Sequence, residues 1–240
     1  MTAEPGPAPA LLLFDIDGTL LGRAATAHSD ALHAALRDVH GVDASHVRGA
    51  IDPAGRTDGE IARVLLTACG VSAERIDDRA DDVREACCAH YAVLCPPDLS
   101  DKVLPGVVPL LEWLDSRPDA RLSLVTGNFE PVGRLKLKRA GIGRHFPSGQ
   151  GGFGSDSEDR AALPGIARHR AGHDGLAHPR TRTIVIGDTP RDIACARADG
   201  VRVFAVATGP YARGDLTGAD GVAEGAAQLR PLLEDALGTV

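Results

Sequence analysis

Four short apolar runs, at 10–14, 122–125, 183–186 and 201–206, constrain what this chain can fold into more than any other feature. Each is rich in Leu or β-branched residues and bounded by Gly, Asp or Thr, the pattern of a buried parallel strand. Helical patterns lie between them, at about 130–141, 158–171 and 190–199. Alternating strands and helices imply an α/β fold with a doubly wound parallel sheet, Rossmann-like in layout. Ligands of such sheets collect at the carboxyl ends of the strands.

The stretch 22–104 breaks the alternation. It carries Ala/Leu/Arg-rich helical patterns at about 26–40, 58–69 and 73–94 and no convincing strand, and Pro96-Pro97 and Pro105-Gly106 punctuate its end. The economical reading is a core of residues 1–21 and 105–240 interrupted by an α-helical insert at 22–104. Residues 2–9, rich in Pro and Ala, read as a loose tail.

Aromatic residues make up only 3% of the chain, so its core must rest on Leu, Val, Ile and Ala. The formal net charge of -7, with no dense Lys/Arg cluster, argues against a nucleic-acid or anionic-membrane surface. It also means that an anionic substrate needs a locally positive site. Five cysteines form no C-x-x-C pair and no zinc spacing, which suits reduced thiols in a cytoplasm. The apolar run at 11–14 is too short to span a membrane, and no targeting signal is expected.

Polar clusters fall at the predicted strand ends: Asp15/Asp17, Thr126, the loop containing Arg160, and Asp188/Asp192. Any one of them suits an ordinary turn or helix cap. Parallel strands would bring all of them to one edge of the sheet.

Here the chain resembles the haloacid dehalogenase-like hydrolases. Asp15-Ile16-Asp17-Gly18-Thr19-Leu20 looks like their first motif, Val125-Thr126-Gly127-Asn128 like their second, and the 187–193 segment, Gly-Asp188-Thr-Pro-Arg-Asp192-Ile, like their fourth. Phosphoglycolate phosphatase-like members look nearest. The insert resembles the family's helical cap, a lid that excludes water.

The resemblance implies a nucleophilic role for Asp15, which would form an acyl phosphate. Asp17 would be the general acid/base, protonating the leaving alkoxide and then activating water. A carboxylate at that position marks phosphatases and phosphomutases in the family and disfavours a dehalogenase. Carboxylates gathered around a phosphate need a hard cation, and oxygen ligands suit Mg²⁺. Its implied ligands are the Asp15 carboxylate, the Asp17 carbonyl and Asp188, with Asp192 acting through water or behind them. Thr126 would hydrogen-bond a phosphoryl oxygen, and backbone amides around Gly18, Gly127 and Asn128 would cradle the others.

The family's third motif, a lysine beside the nucleophile, has no direct match. Arg160 falls near the expected place; Lys136 is the alternative, although a surface position on its helix suits it equally. Gly149 to Gly154 fits G-x-G-x-x-G but neither follows a clear strand nor opens a helix, so a mobile loop at the rim is expected instead of a dinucleotide site. Arg56, in Gly55-Arg56-Thr57-Asp58, is the candidate substrate contact of the insert, and an ordinary helix cap explains that tetrapeptide as well. The nine histidines show no ligand spacing and read mostly as surface residues. The expected activity is hydrolysis of a small phosphorylated metabolite. A sugar-phosphate mutase and a catalytically idle phosphate- or metal-binding protein are the alternatives, and oligomeric state is open.

Overall fold

A computed structural model describes residues 8–22 and 26–238; residues 2–7 of the expected tail lie outside them. Six parallel strands form one sheet: β1 (Ala10–Phe14), β2 (Ala120–Thr126), β3 (Gly152–Phe153), β4 (Thr183–Gly187), β5 (Arg202–Val206) and β6 (Gly221–Ala223). Their spatial order is β3-β2-β1-β4-β5-β6. The chain therefore winds outward in one direction from β1 to β3 and in the other from β4 to β6. Asp15 leaves β1 at the point of reversal, where doubly wound sheets bind ligands.

Among the described residues nine α-helices accompany the sheet: α1 (Thr26–His40), α2 (Asp58–Ala68), α3 (Ala73–Asp78), α4 (Ala80–Leu94), α5 (Val107–Asp115), α6 (Glu130–Arg139), α7 (Leu163–Ala171), α8 (Pro190–Asp199) and α9 (Ala226–Gly238). The pleat of β1 sorts its side chains between two cores. Leu11 and Leu13 pack with Val185, Val203, Leu163 of α7 and Ala196 of α8. Leu12 and Phe14 pack on the other face with Ile184, Leu124, the α5, α6 and α9 residues, and the α1–α4 layer.

Of the five helices between β1 and β2, α1 to α4 fall in the stretch read as an insert and α5 follows it, and the pattern at 73–94 is two helices that meet at Arg79. The two chain connections to that stretch lie side by side: Gly22 N–H donates to Lys102 O at 2.8 Å, and Leu104 N–H to Leu20 O at 3.0 Å. The expected rim loop at 149–154 is different from its reading. Gly152 and Phe153 are buried and pair with Val125 and Thr126 as the edge strand β3. Two residues carry too little periodicity to announce a strand.

Candidate active site

Asp15, at the end of β1, is buried, and its N–H donates to Ile186 O at 2.8 Å. Asp188 and Asp192 come from the turn after β4 and the first turn of α8. One carboxylate oxygen from each of the three lies within 4.8 Å of the others, and all three residues are buried. Thr189 and Asp192 form a reciprocal capping box at the start of α8, with Pro190 in the first helical turn. Asp192 Oδ2 accepts from Thr189 N–H at 3.0 Å and Thr189 Oγ1 at 2.7 Å, while Oδ1 accepts from Arg160 Nη2. Both oxygens of Asp192 are thus engaged, which suits a supporting position behind Asp15 and Asp188.

Glycines make room for this crowd. Gly18 sits at φ 85°, and a Cβ there would lie 2.1 Å from Asp188 Oδ2; one at Gly209 would lie 1.7 Å from the same atom. The turn after β5 also crowds Asp188, and no local motif marks it, because Thr208 and Gly209 look like any strand-ending turn. Thr208 Oγ1 donates to Gly18 O at 2.5 Å, and Thr19 Oγ1 donates to Asp188 Oδ1 at 3.1 Å.

Burial pushes the Asp188 carboxyl up to about 9, with the nearby Asp192 and Asp15 adding to it. Burial likewise lifts Asp15 to about 7; Arg160 opposes, and Asp192 and Asp17 add to the rise. The cluster therefore holds more negative charge than its own cations balance. Its donors are all oxygen, so a hard divalent cation such as Mg²⁺ fits it, held by Asp15 and Asp188.

Arg160 is buried and opens a short turn ahead of α7, where Asp159 Oδ1 accepts from Ala161 N–H at 2.9 Å. Its Nη2 lies 3.5 Å from Asp15 Oδ2. Lys136 is also in the site, and the surface reading of it fails. Its side chain is fully buried, and Nζ donates to Asp17 Oδ2 and Asn128 Oδ1, both at 2.6 Å. A helical side chain points back toward the helix N-terminus, which brings Lys136 from the second turn of α6 down to the strand ends.

Burial alone would raise Asp17, but the Lys136 ammonium and the hydrogen bonds from Lys136 and Asn128 outweigh it and hold the carboxyl below its usual range. Asp17 Oδ1 is buried without a partner among the described residues.

Thr126 Oγ1 accepts from Asn128 Nδ2 at 2.8 Å, which leaves its own proton to donate elsewhere. Two of the expected cradle amides are engaged: Gly18 N–H donates to Leu21 O at 2.7 Å, and Asn128 N–H to Thr126 Oγ1 at 3.4 Å. Asn128 takes part through its side chain, whose Nδ2 also donates to Asp17 Oδ2 at 2.9 Å. Gly127 O accepts from Asp58 N–H at 2.8 Å, which ties this loop to α2.

These residues line a cavity of about 880 Å³ closed on its far side by His28, Arg56, Asp58 and Ile61 of the helical layer, with Lys102 at the second connection. Arg56 faces it while donating from Nε to Asp52 O at 3.0 Å and pairing with Glu60. Thr57 does cap α2, accepting from Glu60 N–H at 3.1 Å, and its hydroxyl donates to Glu158 O at 2.7 Å. Histidines were read as mostly surface residues, yet His28, His33, His40, His145 and His178 are buried. No sequence motif pointed to His28, and Asp58 stood out only as part of the Gly55–Asp58 segment.

A family model described as haloacid dehalogenase-like hydrolase matches residues 12–197. The chain belongs to that family. A second HAD-hydrolase-like model matches residues 164–231. Among curated relatives, a phosphoglycolate phosphatase of Rhodospirillum rubrum is 29% identical over 85% of this chain and 82% of its own length. The tyrosine-protein kinase PtkA of Mycobacterium tuberculosis is 28% identical over 89% of this chain and 67% of its own. Among solved structures, a β-phosphoglucomutase of Clostridium difficile superposes with TM-score 0.66 at 19% identity, covering 97% of this chain and 98% of that one; this likeness is one of fold. Among the described residues of this HAD chain, no helix is long and apolar enough to cross a membrane.

Proposed function

We propose that this HAD member is a Mg²⁺-dependent phosphatase of small phosphomonoesters that works through a phosphoaspartate on Asp15. The observation that carries the reading is the crowding of Asp15, Asp188 and Asp192 at the end of the central strand, with Arg160 on one side and the Asp17–Lys136 pair on the other. Phosphoglycolate phosphatases among the relatives make 2-phosphoglycolate the first substrate to assay.

In this reading an Asp15 oxygen attacks phosphorus and the ester oxygen leaves with a proton from Asp17. Asp17, then a carboxylate, takes a proton from water; the hydroxide attacks the acyl phosphate, releasing phosphate and restoring Asp15. A bound phosphate dianion beside Asp17 raises its proton affinity by Coulomb repulsion, offsetting Lys136 for the first step. Arg160 and the Thr126 hydroxyl bind phosphoryl oxygens, and Arg56 contacts the leaving group. Asp15, the Asp17 carbonyl and Asp188 would hold Mg²⁺, which would supply charge neutralisation for the phosphoryl group.

Residues 22–104 act as the cap over the core formed by 1–21 and 105–240, in a cytoplasmic enzyme. The capped cavity favours metabolites over phosphoproteins. Phosphate release from 2-phosphoglycolate and p-nitrophenyl phosphate, with Mg²⁺ and with EDTA, tests the reading: turnover should need the metal and vanish in Asp15→Asn. Return of the phosphoryl group to a sugar instead of water would make the chain a mutase. No turnover of any phosphomonoester would leave the idle binding protein.

A further inference from the structure

Lys136 has three N–H donors, and they meet three acceptors. Two, Asp17 Oδ2 and Asn128 Oδ1, belong to the α/β core. The third is His28 Nδ1 at 3.2 Å, on α1 of the helical insert. A histidine nitrogen can face an ammonium only as an acceptor, so the ring must carry its proton on Nε2. That proton has a partner: Nε2 lies 3.0 Å from Asp58 Oδ2, at the first position of α2. The same Asp58 oxygen accepts from Phe129 N–H at 2.7 Å, immediately ahead of the helix that carries Lys136. The imidazole also packs edge-on against Tyr91 of α4, with ring centroids 5.5 Å apart. Asp58, His28 and Lys136 are all buried, so losing a partner along this chain is costly.

We propose that His28 and Asp58 are positioning residues that hold the Lys136 ammonium, and through it the Asp17 carboxyl, in catalytic register. The chain of contacts runs Phe129 N–H to Asp58, Asp58 to His28 Nε2–H, His28 Nδ1 to Lys136, and Lys136 to Asp17. His28 and Asp58 come from the insert, and Phe129, Lys136 and Asp17 from the core. Docking of the insert thereby completes the acid/base group as well as covering the cavity. This inference rests on the proposed role of Asp17, and its geometry can be measured apart from that role.

Two substitutions separate the ends of the imidazole. His28→Asn places an amide oxygen close to where Nδ1 lay and keeps an acceptor for Lys136. His28→Gln places an amide nitrogen close to where Nε2 lay and keeps only the donor to Asp58. With p-nitrophenyl phosphate and an alkyl phosphate as probes, His28→Ala should lower kcat on the alkyl ester by roughly 10-fold or more, within the range general acid–base groups contribute, at nearly unchanged KM. The aryl ester, whose phenolate leaves without much help, should suffer less. His28→Asn should recover most of the loss and His28→Gln little of it. Thermal melts of each variant check folding. The imidazole ¹⁵N shifts of wild-type His28 should report the Nε2–H tautomer. Wild-type kcat in His28→Ala, recovery by Gln instead of Asn, or an Nδ1–H tautomer would overturn the proposal. If the wild-type protein hydrolysed no phosphomonoester, the phosphatase reading would fall, and the tautomer would still decide whether the relay exists.

Discussion

Asp17 Oδ2 stands 2.6 Å from Lys136 Nζ, joining a residue three positions past the end of the central strand to one 119 residues later in the chain. The lysine side chain has no exposure, whereas that of Asp17 keeps about a third of its own, turned to the cavity. An ion pair of this kind biases the carboxyl toward its basic form and pins one of its oxygens.

Replacing Lys136 by Met should therefore lower kcat by roughly 10²-fold or more, the scale of general acid–base catalysis. Because the ammonium holds Asp17 low, its removal raises the Asp17 pKa, and the acid limb of the kcat–pH profile should move to higher pH. An unmoved acid limb would show that Asp17 does not set it.

Arg160 acts on the other carboxylate pair. Arg160→Ala strips a buried cation from Asp15 and Asp192, and breaking a buried pair by removing one partner costs about 3–5 kcal/mol where nothing replaces it. Both kcat/KM and Tm should fall, and Mg²⁺ should restore part of the Tm. Arg160→Lys should recover part of the activity, since charge survives without the guanidinium fork. Equal kcat/KM for the Ala and Lys variants would count against a charge role.

The longer strands β1, β2, β4 and β5, the helical stretch and most of the polar clusters were legible in the sequence because each follows from a local pattern, whereas β3 and β6, of two and three residues, were not. Lys136 stands in the sequence only as the alternative to Arg160, because a charged side chain on a helix suits the surface unless its phase is considered. The buried residues of α6 are Val132, Gly133, Lys136 and Leu137, so helical periodicity alone places the lysine on the inner face. His28 sits likewise in phase with Ala31, Leu32, Ala35 and Leu36 of α1. The relay among His28, Asp58 and Lys136 links positions up to 108 apart, and no local window contains such a pairing. Thr208 and Gly209 were silent for a different reason: their role is to leave space and brace a neighbouring turn, which has no motif of its own.

The raised carboxyls make a stability prediction for the metal-free protein. Asp15 and Asp188 bind protons up to about 7 and about 9 in the fold, against 3.8 when unperturbed. Between those values the folded state holds more protons than the unfolded one, so stability falls as pH rises through that window. In EDTA, Tm should decline from about pH 5 to pH 8 more steeply than in Mg²⁺, whose binding displaces those protons. Parallel curves with and without metal would contradict the site.

Gly209→Ala tests the space around Asp188, since the new Cβ would fall 1.7 Å from Oδ2. Displacing that carboxylate should weaken the Mg²⁺ dependence of turnover, raising the metal concentration for half-activity by about tenfold, the equivalent of about 1.4 kcal/mol and within the usual cost of overpacking. An unchanged metal requirement would mean that Asp188 is not a ligand.

The central claim is the covalent intermediate on Asp15, and trapping it is the most direct measurement. Asp17→Asn should still be phosphorylated by p-nitrophenyl phosphate, whose leaving group needs little protonation, but should hydrolyse the acyl phosphate slowly. Acid quench, borohydride reduction and peptide mass spectrometry should then find homoserine in place of Asp15, in amounts approaching one per active site. A burst of p-nitrophenol with no reduced residue at position 15, or reduction at another carboxylate, would contradict the account.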